Sequence, residues 1–175
     1  MFGSKGKGLL QELNLEKEVF ARVHTFGKAL GCHGAVVLGA SELRDYLINF
    51  SRPFIYTTAA SLHAVATIKA AYQELESTNA IDQLKDRIAY FRKKIIEYNL
   101  NHFFINSNSP IQCCLISGNK QVKKTAKQLT ENGFDVKAIL SPTVAKDKER
   151  IRICLHSYNT FEEIDKLLRL LATFV

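Results

Sequence analysis

Residues 24–39 read HTFGKALGCHGAVVLG and place one lysine, Lys28, among small and apolar residues. The flanking segments 19–24 and 34–39 are rich in β-branched residues, which predicts two short buried strands. Lys28 therefore lies in the predicted turn between two strands, and the chemistry that suits a lysine in such a turn becomes the first question about function.

Three interpretations of Lys28 compete. A phosphate-binding loop needs Gly-x4-Gly-Lys-Ser/Thr, but here Ala29 follows the lysine. A solvated turn lysine is the ordinary interpretation. The small residues around the lysine favour a third one, because they leave open space and a permissive backbone around one long amine. These residues are Gly27, Ala29, Gly31 and Gly34. Partial desolvation makes such an amine a usable nucleophile and base, so the pattern predicts Schiff-base chemistry at Lys28.

Composition excludes several other classes of protein. The chain has 175 residues, 46% of them hydrophobic, which is enough to form a sizeable core. The formal charge of +7 comes from segments in which acidic or polar residues interrupt the basic ones, so solvated helix faces are expected rather than a nucleic-acid site. No signal peptide and no apolar run of about 18 residues occurs, which predicts a soluble cytoplasmic protein without a membrane span.

The cysteines and histidines do not predict a metal site. Neither residue type shows ligand spacing such as CxxC or HExxH. Three of the cysteines lie in apolar segments, and all four are expected to be reduced core thiols. The residues are Cys32, Cys113, Cys114, Cys154, His24, His33, His63 and His156.

The order of predicted elements indicates an α/β fold. Ser41 is expected to cap a helix over 41–50, and 51–60 is expected to be extended. In the last helix, Thr160 and Glu163 have the spacing of a capping box. The remaining predictions are helices at about 60–77, 80–100 and 120–132, and strands at 111–117, 134–140 and 150–156.

Several motifs in one order carry a resemblance to a known family. They are TFGKALG at 25–31, GAVVLG at 34–39, LINFSRPFIYTTA at 47–59 and SPTVAKDKERIRICLHSYNT at 141–160. The sequence resembles the α-oxoamine synthases, which are pyridoxal-phosphate enzymes of fold type I, and among them the branch that makes 8-amino-7-oxononanoate. The resemblance covers nearly the whole chain.

The resemblance implies an organisation into three segments. Residues 1–58 would be the end of the large cofactor-binding domain, 59–100 two connecting long helices, and 101–175 the small C-terminal α/β domain. The family also carries a ring-stacking histidine and an Asp-Glu-Ala-His segment upstream of its lysine, and this sequence contains neither. We therefore expect the chain to be the C-terminal half of a longer enzyme.

The resemblance also assigns roles to individual residues. Lys28 matches the lysine that holds pyridoxal 5'-phosphate covalently and later removes the Cα proton of the amino acid. Thr25 matches a hydroxyl that binds the cofactor phosphate. Thr58, together with Thr57, matches hydroxyls that reach the phosphate of a neighbouring subunit's cofactor, which implies a homodimer.

Arg152 is the predicted carboxylate-binding residue. Alternation in RIRICLH places Arg150 and Arg152 on one face of the strand and Ile151 and Ile153 on the other. Either guanidinium has the fork geometry that binds a carboxylate. The family's Glu-Arg-x-Arg pattern selects the second arginine, while an arginine paired with an acid at a sheet edge is the alternative.

The implied reaction condenses L-alanine with pimeloyl-CoA and releases CoA and CO2, giving 8-amino-7-oxononanoate for biotin synthesis. Related reactions such as that of glycine C-acetyltransferase are the alternative within the family. Since the ring-binding segment is missing, the isolated 175-residue chain is expected to be inactive. A non-catalytic folded fragment is the alternative from a different class, and neither nucleic acid nor membrane is an expected partner.

Overall fold

The chain divides into two units, and each is described separately. The computed structural model describes residues 2–175. The first unit ends at Thr78, and the second runs from Asn79 to Val175. The boundary falls between two long helices, so each of these helices belongs to a different unit.

The first unit contains a hairpin of two antiparallel strands. Strand β1 pairs with strand β2 so that Val23 lies opposite Val37. The turn between the strands holds Lys28, as the sequence predicts. The elements in chain order are a 3-10 turn Ser4–Gly6, α1 Leu9–Glu12, β1 Ala21–Thr25, β2 Ala35–Gly39, α2 Ser41–Phe50, α3 Arg52–Ile55 and α4 Leu62–Ser77.

The hairpin strands are not buried, which corrects the expectation from the sequence. Val23 is 71% exposed and Val37 is 48% exposed. A two-stranded ribbon has two faces, and the neighbouring elements cover only part of Ala21, Arg22 and Val36. The β-branched pattern predicted the strands correctly, but an apolar pattern does not reveal whether another element packs on it.

Two further details of the first unit differ from the expectation. Ala40, not Ser41, occupies the N-cap of α2, and the Ser41 hydroxyl instead donates to Glu42 Oε2 at 3.1 Å. The segment after α2 was expected to be extended, but it forms α3 with Pro53 in its first turn. Proline suits this position because the first N–H groups of a helix have no intrahelical acceptor.

The second unit packs a three-stranded antiparallel sheet against helices. The strand order is β3-β5-β4, so β5 lies in the middle. These elements confirm the predicted strand, helix, strand, strand and helix after a long helix. They are α5 Ala80–Glu97, β3 Ile111–Leu115, α6 Asn119–Glu131, β4 Lys137–Ile139, β5 Arg150–Cys154 and α7 Phe161–Phe174.

One apolar cluster holds the second unit together. One face of the sheet contributes Cys114, Ile151 and Ile153, and α5 contributes Leu84 and Phe91. The helices α6 and α7 bury Val122, Leu129, Leu167, Leu168 and Leu171 against them. Burial of this many large side chains is the main stabilising contribution to the fold of this unit.

The start of α7 carries the predicted capping box. The Thr160 hydroxyl accepts a hydrogen bond from Glu163 N at 3.1 Å, and Glu163 Oε2 accepts one from Thr160 N at 3.0 Å. The two bonds satisfy donors that the helix itself leaves unpaired. Over residues 2–175, no helix is both long and apolar enough to cross a membrane.

Candidate functional site

The Lys28 turn is held by its own backbone. Phe26 N donates to Gly34 O at 2.9 Å, Cys32 N donates to Phe26 O at 2.9 Å, and Gly31 N donates to Lys28 O at 3.1 Å. Gly31 has φ +61° and Gly34 has φ +109°, which is the region that glycine adopts without strain. These two glycines let the chain fold tightly around the lysine.

Side chains beneath the turn anchor it to α4. Phe26 is buried and meets the ring of Tyr72 edge-on, with 6.3 Å between centroids. The Cys32 thiol is also buried and lies 3.1 Å from Leu30 O and 3.8 Å from Thr67 O. The backbone on either side of Lys28 is therefore fixed at Phe26 and Cys32.

The side chain of Lys28 is exposed, which corrects the expected partial desolvation. The glycines also differ in what they provide. A Cβ on Gly31 would meet nothing within 4 Å, whereas one on Gly27 would lie 3.6 Å from Cys32 O and one on Gly34 would lie 3.6 Å from the Phe26 ring. Of these three glycines, Gly31 is the one that borders the open space predicted from the sequence.

The three predicted threonines all expose their hydroxyls in the first unit. Thr25 ends β1 and lies opposite Ala35, two residues before the turn glycine Gly27. Thr57 and Thr58 follow α3 in the segment that leads to α4. Within the described part of the chain, none of these hydroxyls has a hydrogen-bond partner, so all three are available to donate to an anion.

Arg152 lies at the centre of the second unit's sheet. It occupies the middle strand β5, opposite Cys113 of β3 and Lys137 of β4. Its neighbours Ile151 and Ile153 are buried while Arg152 is exposed, so the predicted alternation is confirmed.

The structure also distinguishes the two arginines of this strand. Arg150 Nε donates to Lys148 O at 2.9 Å, which uses one of the donors of its guanidinium. Arg152 forms no ion pair with any acid among residues 2–175, and it is not at a sheet edge. The alternative of an edge arginine paired with an acid is therefore wrong.

A charged network between the end of α5 and α7 was not visible in the sequence. The Tyr98 hydroxyl donates to Asp165 Oδ1 at 2.5 Å, and Arg169 Nε lies 2.8 Å from Asp165 Oδ2. The Tyr98 hydrogen bond, with help from Arg169 and Lys94, lowers the pKa of Asp165 below its ordinary value. The network links two helices of the core, which makes a structural role sufficient to explain it.

The cysteines are free thiols but are not all in the core. Cys32 and Cys114 are buried, Cys113 is half-buried and Cys154 is exposed, which corrects the expectation of four core thiols. Burial raises the pKa of Cys114 to about 12, with a smaller contribution from Cys113. Among the residues that the structure describes, no group of His, Cys, Asp and Glu could hold a metal ion.

A large groove in the first unit does not contain the predicted residues. Its volume is about 1140 Å³, and its lining includes Phe20, Val37, Leu47 and Phe54 but not Lys28 or a predicted threonine. We place the candidate chemistry at Lys28 rather than in this groove, because the groove walls are mainly apolar and the lysine that lines it, Lys17, has no glycine beside it.

The chain is similar to known proteins in both sequence and fold. An 8-amino-7-oxononanoate synthase of Emericella nidulans is 45% identical and matches 100% of this chain but 44% of its own length. The crystal structure of an 8-amino-7-oxononanoate synthase from Francisella tularensis has a TM-score of 0.86 at 28% identity, covering 98% of this chain and 50% of that one. The chain thus spans about half the length of these relatives.

A more distant structure supports the fold alone. The structure of SPT with PLP is 18% identical, has a TM-score of 0.83, and covers 99% of this chain and 44% of its own. The α/β architecture is therefore that of fold type I enzymes. The family described as aminotransferase class I and II matches residues 1–171, and the chain belongs to that family.

Proposed function

We propose that this chain carries the reactive amine and the carboxylate-binding arginine of a pyridoxal-phosphate acyltransferase. The proposed reaction joins L-alanine and pimeloyl-CoA into 8-amino-7-oxononanoate, CoA and CO2. The observation that carries the proposal is the Lys28 turn, in which an exposed amine stands on a backbone fixed at Phe26 and Cys32 beside the open space at Gly31. The 45% identity to a synthase of that name supports the choice of reaction.

The residues present fit the cofactor that the family indicates. An amine on a fixed turn can bond to the aldehyde carbon, and the unpaired hydroxyl of Thr25 can donate to the phosphate. The open side of Gly31 leaves room for a planar ring to approach the backbone. When bound, pyridoxal phosphate supplies an electron sink that makes the amino-acid Cα acidic.

Each named residue then has a physical task. Lys28 Nζ would hold the cofactor covalently and would serve as the base for the Cα proton of the amino acid. Arg152 would bind the substrate carboxylate through two N–H groups. Thr57 and Thr58 would donate to the phosphate of a neighbouring subunit's cofactor, which requires a homodimer.

The bonds made and broken balance without any redox partner. A C–C bond forms between the alanine Cα and the thioester carbonyl carbon, while the C–S bond breaks and CoA leaves as the thiol. The bond from Cα to the carboxylate then breaks and releases CO2. The proton first removed from Cα leaves with the thiol, so Cα takes up one further proton from solvent, which Lys28 would deliver.

The cofactor assignment is tested by absorbance titration with pyridoxal phosphate. We expect Lys28→Ala to weaken saturable binding at least about tenfold, a loss of about 1.4 kcal/mol. Lys69→Ala is the matched control, because Lys69 is an exposed lysine of α4 in the same unit, and it should bind as the unaltered chain does. Equal binding by the Lys28→Ala variant would refute the role of Lys28.

The second candidate function is a folded domain without catalysis of its own. The exposure of Lys28 and the half-length match to the relatives favour it for the 175-residue chain in isolation. We therefore expect no CoA release from pimeloyl-CoA and L-alanine by this chain alone. Measurable release that depends on Lys28 would show that these residues suffice for catalysis.

Release that is faster with glycine and acetyl-CoA than with L-alanine and pimeloyl-CoA would instead favour the glycine C-acetyltransferase reaction.

A further inference from the structure

The open face of the second unit's sheet carries a cluster of positive charge. Arg152 and Lys137 are directly opposite each other on neighbouring antiparallel strands, so their side chains leave the sheet on the same face. Both are exposed. Arg150 lies two residues from Arg152 on β5 and therefore shares this face.

Such an arrangement is unfavourable without a ligand. Side chains directly opposite on an antiparallel pair have Cβ atoms about 4.5–5.5 Å apart, and like charges at this spacing destabilise the sheet. The repulsion is partly offset by Asp135, whose Oδ1 lies 2.8 Å from Lys137 Nζ. Both partners of that pair are largely exposed, so the pair is weak and Lys137 can exchange it for another anion.

From this geometry we infer that Lys137 is the second cation of the anion site at Arg152. A single carboxylate or phosphate group binds between the two side chains and removes their mutual repulsion. The inference rests on the proposed function for the role of Arg152, and it adds Lys137 as a residue that determines the affinity for the anionic group. Arg150 is not included, because its Nε donates to Lys148 O and it lies opposite Ile139 rather than Lys137.

The two cations contribute differently. The planar guanidinium of Arg152 can bind two oxygens of one group and so sets its orientation. The ammonium of Lys137 acts as a compact charge that adds attraction without fixing an angle. Removing Lys137 should therefore weaken binding, whereas removing Arg152 should abolish it.

The test is an NMR titration of the full 175-residue chain with sodium acetate and, separately, sodium phosphate at constant ionic strength. Shifts of the backbone amides of residues 113, 137 and 152 report occupancy of the face. We expect saturable shifts that Lys137→Met weakens about fivefold and Arg152→Gln removes. Lys124→Met is the charge-matched control, since Lys124 is an exposed lysine of α6, and it should leave the affinity unchanged.

A further variant tests whether Asp135 competes with the anion for Lys137. Asp135→Asn frees Lys137 from its only acidic partner among the described residues, and we expect it to tighten anion binding about twofold. All four altered positions are exposed, so the variants should keep the fold, and the spectra themselves report whether they do.

The outcomes separate the inference from the proposal on which it rests. Loss with Arg152→Gln but not with Lys137→Met would overturn the role of Lys137 and leave that of Arg152 standing. Equal weakening by Lys137→Met and Lys124→Met would show an effect of net charge only and would also overturn the inference. Shifts that persist in Arg152→Gln would contradict the carboxylate site itself.

Discussion

The two units of this chain use apolar residues in opposite ways. The second unit buries them in one cluster between a sheet and three helices, and Phe91, Leu168 and Leu171 are fully buried there. Among residues 2–78 of the first unit, only Phe26 and Cys32 are buried, while large side chains such as Phe20 and Tyr56 are exposed to solvent. Since apolar burial is the main stabilising term in folding, the second unit should be far more stable than the first.

The residues proposed for function are distributed across both units. Lys28 and the three threonines belong to the first unit, and Arg152 belongs to the second. The unit with the larger buried core thus carries the proposed anion site, and the other unit carries the proposed reactive amine. The comparison predicts that changes in the two units have very different consequences for stability.

The largest expected difference comes from truncating a core side chain. Leu168→Ala should lower the free energy of unfolding of the second unit by about 2–5 kcal/mol, because it leaves a cavity in a fully buried position. Leu38→Ala on the hairpin is the matched change at a side chain that is 41% exposed, and it should cost within about 0.5 kcal/mol. Urea unfolding followed by circular dichroism measures both. Equal costs would contradict the contrast between the units.

The buried thiols provide a test in which the expected effect is of intermediate size. Cys32 and Cys114 are both buried, but in different units, so each reacts with iodoacetamide only when its own surroundings open. We expect Cys154 to react first, Cys32 next, and Cys114 at least about tenfold more slowly than Cys32, a difference of about 1.4 kcal/mol.

Peptide mass spectrometry measures the thiol rates, and Cys113→Ser removes the ambiguity between adjacent thiols. Full unfolding in urea is the control, because all thiols should then react at similar rates. A rate for Cys32 equal to or below that of Cys114 would show that the first unit is as well protected as the second.

The smallest expected effect is a dependence on pH within the second unit. Because the pKa of Asp165 is lowered in the folded state, its charged form stabilises the fold above the ordinary Asp pKa of about 3.9. This stabilisation is lost as the pH falls through the lowered value. Tyr98→Phe removes the largest cause of the shift.

Urea midpoints between pH 7 and pH 3 test the Asp165 network. The loss of stability caused by Tyr98→Phe should be present at pH 7 and should shrink towards pH 3, as Asp165 becomes protonated. Tyr158→Phe is the control, because Tyr158 is exposed, and it should have little effect at any pH. A Tyr98→Phe effect that stays constant over this range would mean that the hydroxyl does not act through the Asp165 charge.

The sequence predicted local structure well in both units. The capping box at Thr160 and the alternation around Arg152 are confirmed, because caps and strand faces depend on residues a few positions apart. The exposed Val23 and Val37 and the exposed Lys28 were not foreseen. Whether an apolar face or a lysine is covered depends on other elements, and periodicity within one segment carries no information about them.

The site was predictable to the same extent. A lysine among glycines and an arginine in an alternating strand are visible in the sequence, and the structure confirms the turn and the exposed face that each requires. The pairing of Lys137 with Arg152 was missed because it depends on the register between β4 and β5. The Asp165 network was missed for a similar reason, since it joins side chains from two helices that lie far apart in the chain.

The central claim is that the Lys28 turn selects this amine for pyridoxal phosphate. The direct measurement is incubation of the chain with pyridoxal phosphate, reduction with borohydride, and mapping of the labelled peptides by mass spectrometry, with Lys28→Arg as the charge-preserving control. The account predicts that most of the label lies on Lys28 and that the variant loses it without gaining label elsewhere. Label spread over exposed lysines such as Lys5 and Lys69, without preference for Lys28, would contradict the claim.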